Sequence, residues 1–156
     1  MTTTTNRIIR ALAGIAILSS ATGVAAQTGP DENQSRRVGD FEIYYSAIQI
    51  NQLPEQISKR YKLQRGPNAA MMQVTVRQHA ADGSDKAIAA TISGTAKSLA
   101  SKPIVLNFVE HADSDAPLYI AEFKLTPPDT LVYVLHVSAE GLADQEITFQ
   151  RDYASN

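Results

Sequence analysis

Apolar and polar side chains alternate along most of the chain from Met72 onward. This period of two is typical of β-strands that bury one face and expose the other. Turn residues such as Asp82-Gly83 and Glu140-Gly141 separate the alternating runs. Together with one earlier run, the pattern predicts seven strands, at 41–50, 72–77, 88–97, 104–109, 118–125, 131–137 and 146–153.

Short strands separated by turns at this spacing are typical of an antiparallel β-sandwich, which is the predicted fold. The runs 72–77 and 88–97 are predicted to pair as a hairpin through Asp82-Gly83. A closed barrel is the alternative, because alternation shows which face is buried but not whether the sheet closes on itself.

Two segments near the start of the domain depart from simple alternation. Apolar residues occupy positions 41, 43 and 45 and then positions 48 and 50, so the phase slips near Ser46. Such a slip predicts a β-bulge or a strand that moves from one sheet to the other. Leu53, Ile57 and Tyr61 recur four residues apart and Pro54 suits a first turn, so one short helix is predicted over Leu53–Leu63.

The first 26 residues have the pattern of a secretory signal peptide. Arg7 and Arg10 flank the start of an apolar run, and Val24-Ala25-Ala26 places modest side chains where signal peptidase cuts. The strongly apolar part is shorter than the roughly 20 residues that span a bilayer, which favours cleavage after Ala26 over an uncleaved anchor. No transmembrane segment is expected after cleavage, residues 27–38 are predicted to be a flexible leader, and residues 39–154 a single domain.

The composition excludes several classes of protein. The chain of 156 residues is 44% hydrophobic, which argues against general disorder, and it contains no cysteine for a disulfide, a thiolate metal site or a nucleophile. Its 14 basic and 16 acidic residues give a formal net charge of −2, so a nucleic-acid partner is not expected.

Motifs that mark an enzyme are also missing. The chain has no Gly-x-Ser-x-Gly elbow, no dinucleotide fingerprint and no phosphate-binding glycine loop. Ser93-Gly94 lies in the middle of a predicted strand, where the glycine indicates a bend or close packing of the sheets. We therefore predict no catalytic residues and no cofactor, and a hydrolase assembled from separate loops is the weakest alternative.

A metal site is the second hypothesis. His111-Ala112-Asp113-Ser114-Asp115 places an imidazole and carboxylates at alternate positions, which suits a divalent cation. His79 and His136 are the other candidate ligands, and Met71 and Met72 suggest copper. For each of these residues a structural role is favoured over metal binding. Residues 111–117 are predicted to be a polar loop, and His136 a hydrogen-bonded histidine in an apolar strand.

Surface recognition is the remaining possibility. Tyr44 and Tyr45 are consecutive in a predicted strand, so one must face the core and the other must face outward beside Glu42 or Ser46. An exposed tyrosine is a suitable contact residue, and we take both as candidate binding residues. The edge strands of a sandwich can also accept a strand from a partner.

Several segments in serial order resemble one family of exported proteins. These segments are Gly39-Asp40-Phe41-Glu42-Ile43-Tyr44-Tyr45-Ser46-Ala47, Leu53-Pro54-Glu55, Met72-Gln73-Val74-Thr75-Val76, Ser93-Gly94-Thr95-Ala96-Lys97-Ser98-Leu99 and Leu118-Tyr119-Ile120-Ala121-Glu122-Phe123. The family is the domain of unknown function 4426, small exported proteins of Gram-negative bacteria. The resemblance covers Val38 to Tyr153 and implies a periplasmic location and an immunoglobulin-like β-sandwich. It implies no catalytic or binding residues.

These observations predict a periplasmic, non-enzymatic binding module of the cell envelope, whose partner is another envelope protein or a small ligand. A carrier of copper or zinc that uses His79, His111, Asp113 and His136 is the alternative.

Overall fold

The computed structural model describes residues 34–98, 102–113 and 116–154. The predicted signal peptide, residues 27–33 and the centre of the 111–117 segment lie outside these ranges. The strands are β1 (Gln34–Val38), β2 (Phe41–Gln49), β3 (Ala69–His79), β4 (Asp85–Ile88), β5 (Ala90–Ser98), β6 (Ile104–Val105), β7 (Val109–Asp113), β8 (Ala116–Lys124), β9 (Asp129–Ala139) and β10 (Leu142–Tyr153). Between β2 and β3 lie a 3₁₀ turn (Ile50–Gln52) and the short helix α1 (Glu55–Arg60). No helix in the described ranges combines the length and apolar character that crossing a bilayer requires.

The strands form two antiparallel sheets that pack face to face. Sheet A has the order β1-β2-β3-β8-β7, with β4 also paired to β3, and sheet B has the order β10-β9-β5-β6. The prediction of an immunoglobulin-like β-sandwich is confirmed, and the closed barrel is wrong because the strands divide between two sheets.

The main core lies between the two sheets, where alternate residues of each strand face inward. In β9 the inward residues Leu131, Tyr133, Leu135 and Val137 are all buried. The hydroxyl oxygens of Tyr133 and Tyr153 lie 2.5 Å apart inside this core, so each phenol has a hydrogen-bond partner. Burial of each large apolar side chain contributes about 1.5–3 kcal/mol, and this layer therefore holds the sheets together.

A second apolar cluster covers one end of the outer face of sheet A. Its buried members are Ile48, Ile50, Leu63, Met71 and Ile120. This cluster explains the phase slip near Ser46, because the end of β2 is buried on both faces. The predicted bulge is wrong: β2 and β3 pair without interruption from Phe41↔Gln78 to Gln49↔Ala70.

The predicted helix is present but shorter. Helix α1 spans only Glu55–Arg60, since Pro54 has extended backbone angles and Lys62 adopts a left-handed φ of 56°. The flanking segments are held by Arg65, whose guanidinium donates hydrogen bonds to the carbonyls of Asn51 and Leu53. These bonds from the Arg65 side chain fix the non-helical segment before α1, where the spacing of Leu53, Ile57 and Tyr61 had predicted helix.

The chain passes from sheet A to sheet B at Ala89. The turn at Asp82-Gly83 is confirmed, with the Ser84 amide bonded to the Asp82 carboxylate and Gly83 at a φ of 83°. The predicted hairpin is only partly right, because β3 pairs with 85–88 and the chain then enters sheet B as β5, beside β9. A period of two continues across such a transfer, so the sequence pattern does not reveal it.

Three further strands differ from the prediction. Gln34–Val38, in the predicted flexible leader, forms β1 and pairs with β2. This strand is held by backbone hydrogen bonds and by Arg36, which donates to the Glu146 carbonyl at 2.9 Å, so it needs few apolar residues. The predicted loop after His111 begins inside β7, and the predicted strand 104–109 divides between β6 and β7.

The close approach of β5 and β9 at Gly94 generates a prediction. A Cβ atom on Gly94 would lie 2.7 Å from Leu135 Cδ2 and 2.8 Å from the Val134 carbonyl oxygen. We expect Gly94→Ala to lower the free energy of unfolding by about 1–3 kcal/mol, measured by urea denaturation. The control is Ser93→Ala, on the exposed face of the same strand; equal stability of the two variants would contradict the packing role of Gly94.

Candidate functional site

A groove crosses the outer face of sheet A at the point where three strands meet. On one edge of β3, pairing to β8 ends at Val74 and pairing to β4 begins at Val76, so Thr75 lies at the junction. The Thr75 hydroxyl donates a hydrogen bond to the Pro117 carbonyl at 2.9 Å and so ties β8 to β3 at this point.

The groove has a volume of about 270 Å³. We call it the tyrosine groove; it is lined by Tyr44, Tyr45, Gln73, Thr75 and Leu118. Tyr44 is directly opposite Thr75 in the β2–β3 pairing, and Leu118 precedes Tyr119, the partner of Val74. The short Thr75 is therefore flanked by the longer Tyr44 on one side and by Leu118 on the other.

The two consecutive tyrosines face opposite ways, as the strand period requires. The ring of Tyr45 packs against Phe149 of sheet B, with ring centroids 4.9 Å apart. The side chain of Tyr44 is half-buried on the outer face, and its interaction with the Glu42 carboxylate raises the pKa of Tyr44. Tyr44 is thus the tyrosine whose ring faces the outer surface.

Polar and charged side chains adjoin the groove toward the end of β3, and we call them the Glu42 network. Its members are Ser35, Glu42, Arg77, His79 and Asp85. The Glu42 carboxylate accepts from Ser35 at 2.8 Å and lies 3.1 Å from His79 Nε2. Hydrogen bonds from Ser35, then Tyr44 and His79, lower the pKa of Glu42.

Asp85 is the carboxylate partner of Arg77 in this network. Arg77 Nε lies 2.7 Å from Asp85 Oδ2, and this hydrogen bond lowers the pKa of the Asp85 carboxyl. His79 Nδ1 is 3.8 Å from the other oxygen of Asp85. Both carboxylates beside the groove therefore have partners on neighbouring strands of sheet A.

At its other end the groove is bordered by the second apolar cluster and by the uncharged polar side chain of Gln73. Tyr61 packs on this cluster and meets His111 of β7 edge-to-face, with ring centroids 5.5 Å apart. Gln73, next to Thr75 on the same face of β3, is half-buried, and within the described residues its amide has no hydrogen-bond partner.

The structure does not bring the three histidines together. His79 belongs to the Glu42 network, and His111 lies elsewhere in sheet A, where it contacts Tyr61. His136 lies on the outer face of sheet B. No group of three or more candidate metal-ligand side chains occurs within the described ranges. The side chain of Asp113 and the whole of Asp115 lie outside those ranges. The three-histidine site is accordingly not assembled, and Met71 and Met72 are buried in the two apolar clusters.

His136 differs from the expected histidine in an apolar strand. Its side chain is 44% exposed, and its Nδ1 lies 3.0 Å from Asp144. Ser93 is opposite His136 in the β5–β9 pairing, which brings a serine, a histidine and an aspartate to one face. However, His136 Nε2 lies toward Glu146 at 3.9 Å, and no hydrogen bond joins Ser93 to His136 in the described part of the chain. These residues lie on an open face of sheet B and form no assembled triad.

Sequence reasoning identified Tyr44 but missed Glu42, Gln73 and Thr75. Alternation in the strands was sufficient to place all three on a polar face. It carried no information about which strands are neighbours, and the site exists only because β2, β3 and β8 are adjacent.

Comparison with known proteins gives a family and a fold. Residues 35–153 match the sequence profile of a family described as a domain of unknown function, DUF4426. A crystal structure of a DUF4426 family protein from Pseudomonas aeruginosa is similar at a TM-score of 0.67 and 24% identity, covering 80% of this chain and 97% of that one. No curated protein matches the chain.

A second solved structure shares the fold at lower similarity. It is FetP of a uropathogenic E. coli strain, crystallised as isolated after recombinant expression in the periplasm. Its TM-score is 0.54 at 14% identity, covering 80% of this chain and 95% of FetP. At these identities both structures are evidence of the fold alone.

The Glu42 network predicts a pH dependence of stability. Because the pKa of Glu42 is lowered from 4.5 in the folded protein, its contribution is present above that value and is lost as the pH falls below it. We expect Glu42→Gln to reduce the fall in melting temperature between about pH 5 and pH 3, measured by thermal denaturation. Glu140→Gln, which removes an exposed carboxylate elsewhere, is the control. Parallel curves for wild type and Glu42→Gln would be inconsistent with this role.

Proposed function

Because the chain belongs to DUF4426, a family whose description names no activity, we propose a function from the geometry of its surface. The protein is a non-enzymatic binding module of the cell envelope that takes a small ligand in the tyrosine groove. One observation carries this proposal: a groove of about 270 Å³ opens on the outer face of sheet A, with the side chains of Tyr44 and Leu118 on either side of the shorter Thr75.

The rigidity of the groove supports binding. Its lining residues belong to paired strands, so the backbone hydrogen bonds of sheet A hold them in place. A site on paired strands loses little conformational entropy when a ligand enters, and this preorganisation increases affinity. The lining is also mostly apolar with a few polar groups, as in small-molecule sites.

Two observations support a periplasmic location. Met1–Ala26 has the charge, apolar run and small residues of a signal peptide. FetP, which shares the fold, was expressed in the periplasm for its crystal structure.

A panel of small molecules tests the binding proposal. The exported protein is titrated with neutral sugars, heteroaromatic compounds, aliphatic acids and amines while backbone and side-chain NMR shifts are recorded. We expect the shifts caused by a binder to concentrate at Tyr44, Gln73, Thr75 and Leu118.

A matched pair of variants sharpens this test. Thr75→Leu partly fills the floor of the groove, whereas Thr148→Leu makes the same change on the exposed face of sheet B. We expect binding to weaken at least about tenfold in the first variant only, which corresponds to about 1.4 kcal/mol. Binders that act on other surfaces, or that tolerate Thr75→Leu, would refute the proposed site.

N-terminal sequencing tests the location. When the full chain is expressed in a Gram-negative host, we expect the periplasmic fraction to contain protein that begins at Gln27. Replacement of Ala26 by a bulky residue should block cleavage and leave the longer form. Recovery of chain that still begins at Met1 in wild-type cells would contradict processing at this position.

A further inference from the structure

We propose that the ligand of the tyrosine groove is an uncharged, flat heteroaromatic ring, and that Gln73 recognises an edge of the ring that carries a hydrogen-bond donor beside an acceptor. This inference rests on the proposed function and specifies the class of ligand.

The width of the groove favours a flat ligand. Tyr44 and Leu118 belong to strands on either side of β3, and neighbouring strands lie about 4.8 Å apart, so their backbones are separated by roughly 10 Å. Thr75, between them, has a shorter side chain than either. The space above Thr75 is therefore a slot about one side chain wide. Because carbon atoms in contact are about 3.5–4.0 Å apart, one planar ring can pack against both walls.

The walls of the slot suit an aromatic ring. Tyr44 supplies an aromatic surface, and Leu118 supplies an aliphatic one. Flat bases are held in this way between aromatic and apolar side chains in proteins that recognise them. Tyr44 lies opposite Thr75 in the paired strands β2 and β3, so the sheet places its ring beside the slot before any ligand arrives.

Gln73 supplies the polar recognition. It lies two residues from Thr75 along β3, which places it about 7 Å away at one end of the slot. Its amide has an N–H donor beside a carbonyl acceptor, and within the described residues neither group has a partner. A glutamine in this position can form two parallel hydrogen bonds with a ring edge such as that of adenine.

The surrounding charges favour an uncharged ligand. Arg77 is paired with Asp85, and the Glu42 carboxylate already accepts from Ser35 and lies 3.1 Å from His79 Nε2, so the charged groups beside the slot are engaged with one another and with neighbouring side chains. A charged ring would lose water on entering a mostly apolar groove without gaining a counter-ion. The whole chain has a formal net charge of only −2, which provides no strong attraction for either sign.

The 9-methyl derivatives of adenine and purine, called adenine and purine below, provide a matched pair of probes. The methyl group removes the N9–H donor from both, so only adenine, through its exocyclic amine, offers a donor beside an acceptor. We titrate the exported protein with each and follow the NMR shifts of the groove residues. We expect adenine to bind about tenfold more tightly than purine, the difference that one bidentate pair supplies. Gln73→Leu should abolish this preference.

Three further variants separate the roles of the residues. Tyr44→Leu should weaken both probes, whereas Tyr44→Phe, which keeps the ring, should bind both. Gln150→Leu, on the exposed face of sheet B, is the control for Gln73→Leu and should leave the preference unchanged. Thermal denaturation shows that each variant is folded.

The outcomes distinguish this inference from the proposed function. If Gln73→Leu keeps the preference for adenine, or if neutral sugars occupy the groove and heteroaromatic rings do not, the inference is overturned while the binding function stands. If no compound of the panel perturbs the groove residues, the proposed function fails as well.

Discussion

Strand β3 is the element on which both the core and the groove depend. It pairs with β2 along one edge, while its other edge is divided between β8 and β4. Where the edge of a strand changes from one partner strand to another, one residue lies between the two pairings. In β3 this residue is Thr75. The hydrogen bond from Thr75 to Pro117 stabilises the junction, and the same junction creates the depression that forms the groove.

The two faces of sheet A are stabilised by different interactions. Burial against sheet B stabilises the inner face, where Val74 and Val76 are fully buried. One end of the outer face is apolar, where Met71 belongs to the second cluster. At the other end Arg77 and His79 contact carboxylates. The groove lies between these two regions. It is therefore the part of this face that is neither covered by apolar packing nor occupied by paired charges.

The proposed binding role draws on this groove, whereas the histidines that suggested metal binding are dispersed. Catalysis requires a nucleophile and a base within hydrogen-bond distance in a protected site, and a metal carrier requires converging ligands. His79 and His136 lie on opposite sides of the sandwich. His79 contacts the Glu42 carboxylate, and His136 contacts the Asp144 carboxylate. The groove has a different character, because it combines the ring of Tyr44 with the amide of Gln73, which has no hydrogen-bond partner among the described residues.

The sequence alone determined which side chains of each strand face inward, because a period of two is imposed by the extended backbone. It therefore predicted the β-sandwich and the opposed directions of Tyr44 and Tyr45. At Gly94 it predicted a bend or close packing of the sheets, whereas the close approach is to β9, the neighbouring strand of the same sheet. It could not determine which strands are neighbours, since pairing joins residues such as Val74 and Tyr119 that are distant in the chain. The transfer between sheets at Ala89, the pairing of β1 and the groove at Thr75 were decided by tertiary structure, because backbone hydrogen bonds carry no side-chain signature.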